Sequence, residues 1–510
     1  MQDGAAELTT ENADRPVAGG AWPERLGRLG LLGGIAASAW LLLLHLRMIL
    51  SPAPQEMREG GELVITQLLL QGRNPYIPAE LPAGTDVYGF LYNALVAPFA
   101  MVFGNSLIVH RAVSAAAILA ACFLVHRMLR QRGTEPTLAI AGTLLFYLAS
   151  IYFVAPLARP DGVALLLSVA AIAVLYRDGL TTGRFLLGTA LAIGALFTKL
   201  YLAYPPFVLA AYVFLFSSRR RGLALGVTAL AAALVALAAA TLLMPAYLNV
   251  VVLANAESAV YEPDHLLRQS RDWALYQLPL MVALTALAWR SRLRLNLFSF
   301  TALANGAVFI VWLGGHSGAH MTYLLQLVSP ALILALWPLL PWTGWSRAAV
   351  LLALPVALAL NLHWFPRSFV EFGEAEGKYR EIERTVAQHA TVLGGTEATV
   401  ALLRSGQTVL DTGQSEYFGA AIGQHALPLL MPPAVLQERW DAMRAQIQTG
   451  IEDRRYDLVV RSRRRGGVVP AELLARHYLA AGSLEVDFPW ASQRWPLDLW
   501  RPRPATEEVR

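Results

Sequence analysis

Charged side chains are scarce in this sequence. Of its 510 residues, 15% are Asp, Glu, Lys or Arg and 56% are hydrophobic, whereas soluble globular domains carry about 25% charged residues. The mean hydropathy is +0.46. This balance excludes an ordinary soluble domain and indicates a protein that crosses a membrane many times.

Lysine, cysteine and several common catalytic motifs are almost or wholly missing. Lys199 and Lys378 are the only lysines, so arginine supplies nearly all of the positive charge. The single cysteine, Cys122, cannot form an intrachain disulfide and does not indicate a redox compartment. A glycine-rich phosphate loop, a dinucleotide fingerprint and a nucleophilic serine motif are all absent from the sequence. The net charge of +5 comes mostly from arginines beside apolar runs, so we expect no nucleic-acid partner.

What the chain has in abundance is long apolar runs. A transmembrane helix needs about 20 apolar residues. Eleven runs of roughly that kind predict eleven spans, near 27–49, 107–126, 137–156, 161–176, 185–203, 204–217, 223–246, 273–289, 296–314, 322–340 and 348–365.

The positions of the arginines predict the orientation of these spans, because basic residues stay on the cytoplasmic side. Every second loop is basic, as at 127–132, 177–184, 219–221 and 290–294. We therefore expect a multi-pass protein of a bacterial inner membrane, with a cytoplasmic tail over 1–26. Residues 1–20 are polar, small and acidic rather than basic, so the first apolar run is predicted to be an anchor rather than a cleaved signal peptide.

Changes in composition divide the rest of the chain. A transmembrane domain is predicted over 27–365, with a first outer loop at 51–106. Within that loop, 87–103 is short and contains Pro98, so we interpret it as a helix on the outer leaflet. After about residue 366 charge rises, which predicts a small periplasmic α/β domain over 366–510. Its predicted helices lie near 372–390 and 433–449, and its strand candidates at 408–410 and 457–460.

An acidic stretch begins just after the first span. Glu56, Glu59 and Glu62 recur every three residues, and the stretch closes on Glu80 and Asp86. In a helix that spacing places like charges on one face, where they repel each other. One interpretation is that a carboxylate there takes a proton from an acceptor hydroxyl while a second holds it in place. The alternative is a solvated acidic face on an ordinary loop.

Other polar residues fall at the predicted outer ends of spans. Asp161 follows Arg159 and Pro160 at a predicted helix start. An acid there is stabilised by the helix dipole or by pairing with the arginine. The alternative is that Asp161 belongs to a functional site. Lys199 either snorkels to the interface or faces a phosphate, for which a compact ammonium is suited. Tyr323 is typical of an interfacial anchor.

Two histidines have a spacing that suits a metal on a helix. His316 and His320 lie four residues apart, but their surroundings are rich in glycine and no nearby acid completes a ligand set. We therefore expect no metal site there.

Carboxylates, one ammonium and an aromatic and histidine loop thus face the same predicted side. That set suits a sugar donor whose phosphate is tethered to a lipid. A lysine or arginine stabilises the departing phosphate, and a carboxylate deprotonates the attacking hydroxyl.

Several short segments, in order along the chain, resemble the C-type glycosyltransferases (GT-C), which include protein O-mannosyltransferases and lipid A aminoarabinose transferases. In the first outer loop they are Glu59-Gly60, Gly72-Arg73-Asn74-Pro75-Tyr76, Tyr88, Phe103-Gly104 and, just beyond, Arg111. Later ones are Ala158-Arg159-Pro160-Asp161, Phe197-Thr198-Lys199, Met321-Thr322-Tyr323-Leu324-Leu325 and Ser329-Pro330.

The resemblance implies an α-helical polytopic transferase that moves a sugar from a polyprenyl-phosphate donor to a glycan, lipid or protein acceptor at the outer face, usually with inversion. Glu59 or Glu62 matches the family's acid of the first outer loop, and we favour Glu59. Asp161 matches a second acid. Lys199 and Arg159 match residues near the donor phosphate, and Arg73, Tyr76, His320 and Tyr323 are the further candidates for substrate binding. Some relatives need a divalent cation; with no dense acidic cluster here, we expect none.

A polytopic transporter or lipid flippase is the main alternative. It would suit eleven spans and sparse charge, but it predicts ionisable residues near the bilayer midplane and interrupted helices in two matching halves. The charges here concentrate at predicted helix ends, and the second half of the sequence does not mirror the first. A membrane scaffold or a polymerase is a weaker alternative, and a scaffold would leave the outer acids unexplained.

Overall fold

The structure is a computed structural model that describes residues 21–504, except for 85–86, 150–153, 254–260, 291–295, 317, 341–343, 362–368, 411–431, 465–468 and 492. The predictions made for most of the 1–26 tail, for Asp86 and for part of the basic cluster at 290–294 therefore lie outside the described residues.

Helices make up most of the described chain, and every predicted apolar run contains at least one. In the first half they are α1 (Ala21–Leu50), α2 (Glu59–Leu70), α3 (Leu91–Phe103), α4 (Leu107–Gln131), α5 (Pro136–Leu148), α6 (Asp161–Leu175), α7 (Thr182–Leu196), α8 (Pro205–Phe216) and α9 (Arg219–Leu243). Those that follow are α10 (Pro263–Tyr276), α11 (Leu278–Arg290), α12 (Leu297–Val308), α13 (Thr322–Leu327), α14 (Ser329–Leu336) and α15 (Trp345–Asn361).

Three of these helices, α1, α4 and α9, are long and apolar enough to cross a membrane. Nine further apolar helical segments of 10–17 residues lie in the described part of the chain. The structure thus confirms a mostly helical membrane protein, while the number of eleven spans stays a prediction. The helix predicted within 87–103 is present as α3, and its position on the outer leaflet also stays a prediction.

Glycine allows the first helix to approach the last helix of the predicted membrane domain closely. A Cβ added at Gly30 of α1 would lie 2.5 Å from the backbone of Leu351 in α15, and one added at Gly34 would lie 2.9 Å from the Leu354 side chain. Small residues at such crossings let helices pack without a hydrophobic driving force. The two ends of the apolar region are therefore held together.

Helices α6 and α7 form an antiparallel hairpin that brings two distant polar residues to one end. Gly188 of α7 lies against Leu175 at the end of α6, and Gly194 lies against Leu167. Because α6 begins at Asp161 and α7 ends at Leu196, the start of one helix lies beside the end of the other.

The C-terminal part contains a small four-stranded sheet. Its strands are β1 (Val392–Gly394), β2 (Leu458–Ser462), β3 (Tyr478–Phe488) and β4 (Gln493–Pro502), in the order β1-β2-β4-β3. Strand β1 is parallel to β2, and the other pairs are antiparallel. The accompanying helices are α16 (Phe369–Ala387), α17 (Thr399–Arg404), α18 (Pro433–Glu452) and α19 (Ala471–His477).

Three of the four predicted elements in this part are confirmed, and one is wrong. The helices predicted near 372–390 and 433–449 are α16 and α18, and the strand candidate at 457–460 is β2. The segment 408–410 is not a strand. It follows a turn at Gly406 with φ of 68°, and the Gln407 side chain, rather than another strand, accepts the N–H of Val392 in β1.

The C-terminal part covers the acidic stretch. Arg404 donates to the carbonyl of Pro52, 2.8 Å away, and Gly60 of α2 lies against Thr399. The three glutamates at 56, 59 and 62 are buried, each 2% exposed or less. The alternative of a solvated acidic face is therefore wrong. Because α2 begins at residue 59, Glu56 also lies outside the helix, so the three glutamates do not share one helical face.

Candidate active site

Glu59 of α2 and Arg111 of α4 form a buried ion pair. Arg111, from α4, donates from Nε to Glu59 Oε1 at 2.8 Å and from a terminal nitrogen to Oε2 at 2.6 Å. Both side chains are 0% exposed. The remaining N–H groups of Arg111 donate to the backbone carbonyls of Met48, Ser51 and Ala53. All five donors of the guanidinium are therefore used, and they hold the segment after α1 against α4.

The carboxylate of Glu59 is also fully engaged. Besides Arg111 it accepts backbone N–H groups from Gln55 at 2.6 Å and from Ala158 at 2.8 Å. Burial acts to raise the pKa of Glu59, but Arg111 and these N–H donors outweigh it, so this pKa lies below its ordinary value. Glu59 is thus held as an anion that links three segments of the chain.

Glu62 lies one turn further along α2. It is 2% exposed and accepts a hydrogen bond at 2.8 Å from Asn93 of α3, which also accepts from Thr66. These contacts join α2 to α3.

A second group of charged side chains surrounds Arg159. Its guanidinium donates to Glu56 at 3.1 Å, to Asp161 at 3.2 Å and to the Tyr88 hydroxyl at 2.6 Å. Arg159 is 2% exposed, so charged hydrogen bonds balance the cost of its burial. The Tyr88 hydroxyl also accepts from Arg58 at 2.9 Å. We call Glu56, Arg58, Tyr88, Arg159, Asp161 and Lys199 the charged cluster.

Lys199 completes this cluster. Its ammonium donates to Asp161, and it lies 5.3–5.5 Å from the ring centroids of three tyrosines, within the range of cation–π attraction. These are Tyr88, Tyr201 and Tyr323. The Tyr201 hydroxyl bonds to Gln326, whose amide also lies 3.4 Å from Asp161 Oδ1. The charged cluster holds three cations and two carboxylates, a net charge of +1.

Backbone pairing sets the position of Tyr88 beside Lys199. The N–H of Gly89 donates to the carbonyl of Thr198 at 3.2 Å, and the N–H of Leu91 donates to that of Phe197 at 3.0 Å. A Cβ at residue 89 would lie 2.0 Å from the Phe197 oxygen, so only glycine permits this approach.

Replacing Gly89 with alanine should therefore separate the two segments. We expect a loss of about 1–3 kcal/mol in the free energy of unfolding, as for overpacked cores. Thermal unfolding of the purified protein would check this. Gly61→Ala, at a position with open space around it, is the matched control. Equal behaviour of the two variants would contradict the spacing argument.

Of the other predicted site residues, one is exposed and three are near the charged cluster or its tyrosines. Arg73 is exposed and pairs with Glu80 at 2.5 Å. Tyr76 is buried and donates to the backbone carbonyl of Tyr88 at 2.9 Å. Tyr323 stacks on Tyr201 with 4.4 Å between centroids. Burial lowers the pKa of His320 to about 3, so its ring is neutral, and its Nδ1 lies 3.3 Å from the N–H of Thr322.

Within the described ranges no three His, Cys, Asp or Glu side chains come together as metal ligands. In the charged cluster the carboxylates of Glu56 and Asp161 instead face Arg159 and Lys199.

Sequence reasoning missed several members of this arrangement. Glu56, Arg58 and Tyr88 belong to the charged cluster, while Tyr201 and Gln326 lie against it. Tyr88 and Arg111 both lie in segments that resemble the C-type glycosyltransferases, and this resemblance could have marked them as candidates. Nothing local distinguished Glu56 from Glu59, because their partners are 103 and 52 residues away.

A helical bundle followed by a small sheet is also the fold of a solved C-type glycosyltransferase, so the predicted resemblance is confirmed at the level of fold. ArnT from Cupriavidus metallidurans, a lipid A aminoarabinose transferase, has the same fold in its apo crystal structure, with a TM-score of 0.59 and 13% identity over 92% of this chain and 98% of that one.

A second crystal structure of the same ArnT, bound to undecaprenyl phosphate, matches with a TM-score of 0.58 and 14% identity, covering 91% of this chain and 97% of that one. No protein-family profile matches the sequence, and no curated protein matches it. At these identities the likeness shows the fold.

Proposed function

We propose that this protein is a membrane glycosyltransferase, which moves a sugar from a polyprenyl-phosphate donor to a hydroxyl of a glycan, lipid or protein acceptor at the outer face of the membrane. The observation that carries the proposal is the convergence of Glu56, Arg159, Asp161 and Lys199 at the ends of apolar helices. A fold shared with a protein that binds undecaprenyl phosphate supports it.

The cations of the charged cluster suit a lipid phosphate. As the bond between the anomeric carbon and the phosphate oxygen breaks, negative charge grows on the departing phosphate. Arg159 and Lys199 are already held in place by Glu56 and Asp161, so they need little reorganisation to bind that anion. Arg58, half-buried and bonded to Tyr88, adds a third donor. These fixed cations supply the charge that a divalent cation would otherwise provide, and we propose no metal cofactor.

We propose that Glu56, rather than Glu59, takes the proton of the acceptor hydroxyl. In the described part of the chain both oxygens of Glu59 accept hydrogen bonds, whereas those to Glu56 all reach Oε2, from Arg159 and from the N–H of Arg58. The Oε1 atom of Glu56 therefore keeps its lone pairs for a substrate. Glu59 then acts as a positioning residue that holds the segment carrying Glu56, and Asp161 orients Lys199.

The aromatic side chains around Lys199 suit the sugar itself. Tyr201 and Tyr323 stack on one another beside the ammonium, and Gln326 lies between Tyr201 and Asp161. Ring faces and an amide are groups that bind a pyranose by packing and hydrogen bonding. Tyr76 and His320 contact residues next to the tyrosines, Tyr76 at the Tyr88 backbone and His320 at Thr322. Arg73 forms an exposed ion pair with Glu80 outside the cluster.

Exchanging Lys199 for glutamine tests the phosphate site. Removing one charged hydrogen bond costs about 1.5–3 kcal/mol, so binding of undecaprenyl phosphate to the purified protein should weaken about 10- to 150-fold. The chain offers a matched control in its other lysine. Lys378→Gln breaks ion pairs with Glu485 and Asp487 in the C-terminal sheet region and should leave binding unchanged. Unchanged affinity in Lys199→Gln would sink the phosphate role.

A further inference from the structure

A cavity lies at the opposite end of the α6–α7 hairpin from the charged cluster. Its volume is about 610 Å³, and its walls include Arg132, Tyr176, Arg177, Tyr212, Arg221 and Phe298. Helix α6 has 15 residues between Asp161 and this cavity, about 22 Å at 1.5 Å per residue. The cavity is therefore separate from the proposed transfer site. We call it the arginine pocket.

Positive charge dominates the arginine pocket. Arg132, Arg177 and Arg221 line it with one acid, Asp178, so its net charge is +2. None of the three arginines forms an ion pair with a described residue. Arg221 only approaches the carbonyl of Leu180, at 3.4 Å. Three cations gathered in a cavity without matching carboxylates repel each other, which an anionic ligand would relieve.

Among the three arginines of the pocket, Arg132 has the geometry that best suits ligand binding. Its guanidinium lies 4.4 Å from the ring centroid of Phe298, so one face is packed against an aromatic ring. Its Nε is buried and has no hydrogen-bond partner among the described residues. A buried donor left unpaired costs free energy. A guanidinium stacked in this way presents its donor edge in the planar fork that matches phosphate oxygens.

The surroundings favour a lipid as the source of that phosphate. The adjoining end of α8 is apolar and open, with Leu215 60% and Phe216 53% exposed. Phe216 also packs with Tyr212 of the pocket wall, with 5.1 Å between centroids. Acyl chains could lie along this surface while the headgroup enters the cavity. The pocket also lies at the arginine-rich ends that the charge pattern predicts to be cytoplasmic.

We propose that the arginine pocket binds the phosphate of an anionic lipid headgroup. Basic pockets between membrane helices on the cytoplasmic side are known to bind such headgroups. This site is distinct from the donor site and does not depend on the proposed transfer reaction. Its occupation would tie α4, α8, α9 and α12 together at the end remote from the charged cluster.

Lipid binding to the purified full-length protein in a neutral detergent tests the proposal. Native mass spectrometry with phosphatidylglycerol should show a retained lipid, and phosphatidylcholine should bind more weakly. Each arginine near a headgroup contributes about 1 kcal/mol, which is about a fivefold change in affinity. Arg132→Gln with Arg221→Gln should thus weaken phosphatidylglycerol binding about 25-fold. If the double variant does not fold, Arg221→Gln alone, at an exposed residue, should give the fivefold loss.

The matched control is Arg220→Gln, which removes the same charge one residue from Arg221 but outside the pocket wall. Its phosphatidylglycerol binding should equal that of the unaltered protein. Competition by inorganic phosphate separates the two sources of the anion. Release of the lipid only by a second anionic lipid supports a headgroup site, whereas tight binding of inorganic phosphate itself would overturn the lipid assignment. Equal losses in Arg220→Gln and Arg221→Gln, or equal binding of both phospholipids, would overturn the pocket altogether.

Discussion

Replacing Glu56 with glutamine is expected to slow sugar transfer about 100- to 10,000-fold, the range that a general base contributes. Glutamine keeps the size of the side chain and can still accept from Arg159 and from the N–H of Arg58. It cannot take a proton from the acceptor. The protein should therefore fold, and it should bind undecaprenyl phosphate nearly as before. Release of undecaprenyl phosphate from a panel of undecaprenyl-phosphate sugars measures the transfer step.

Glu62→Gln provides the comparison for this experiment. Glu62 is as buried as Glu56, but its carboxylate accepts from Asn93 at 2.8 Å, in the contact between α2 and α3. We expect Glu62→Gln to keep most of the transfer rate. A fully active Glu56→Gln would remove this residue from the role of base. An inactive but folded Glu62→Gln beside it would assign the role to Glu62, one of the two acids that match the family's acid of the first outer loop.

Much of the helical fold could be predicted because long apolar runs are a strong local signal. The run at 161–176 became α6 over Asp161–Leu175. Asp161 and Lys199 were predicted to face the same side, and they form an ion pair. Consecutive antiparallel helices place the start of the first beside the end of the second. That step needed only the order of the runs. The same reasoning cannot give lengths, and α5 ends at Leu148 although its predicted run extends to 156.

The acidic stretch shows what a sequence pattern cannot resolve. A spacing of three between glutamates predicts one helical face only if all of them are helical, and the helix begins at residue 59. The C-terminal part packs on the segment that carries these acids, with Thr399 against Gly60 and Arg404 bonded to the carbonyl of Pro52. A contact between residues more than 300 positions apart cannot be recognised from a local sequence pattern. Glu59 and Glu56 therefore looked equivalent in the sequence, although their partners differ.

A different outcome is expected for Glu59→Gln, and it separates the two roles. Among the described residues, Glu59 only accepts hydrogen bonds. Arg111 and the N–H of Ala158 donate to Oε1, while Arg111 and the N–H groups of Gln55 and Glu56 donate to Oε2. A glutamine amide would direct its NH₂ group at these donors whichever way it turned. Breaking a buried ion pair by changing one partner costs about 3–5 kcal/mol. We therefore expect a loss of folded protein, visible as a lower unfolding temperature in detergent.

The double variant Glu59→Leu with Arg111→Met tests whether the pair acts through its charge. Replacing both partners by apolar groups of similar volume is often neutral in energy. Here the carbonyls of Met48, Ser51 and Ala53 would lose the donors of Arg111, so stability should be recovered only in part. A partly stable double variant that still transfers sugar would establish Glu59 as a positioning residue, because no proton acceptor remains at that position. A Glu59→Gln protein that is fully folded, binds undecaprenyl phosphate and transfers nothing would instead make Glu59 the base. The ion pair with Arg111 would then have to open during each turnover.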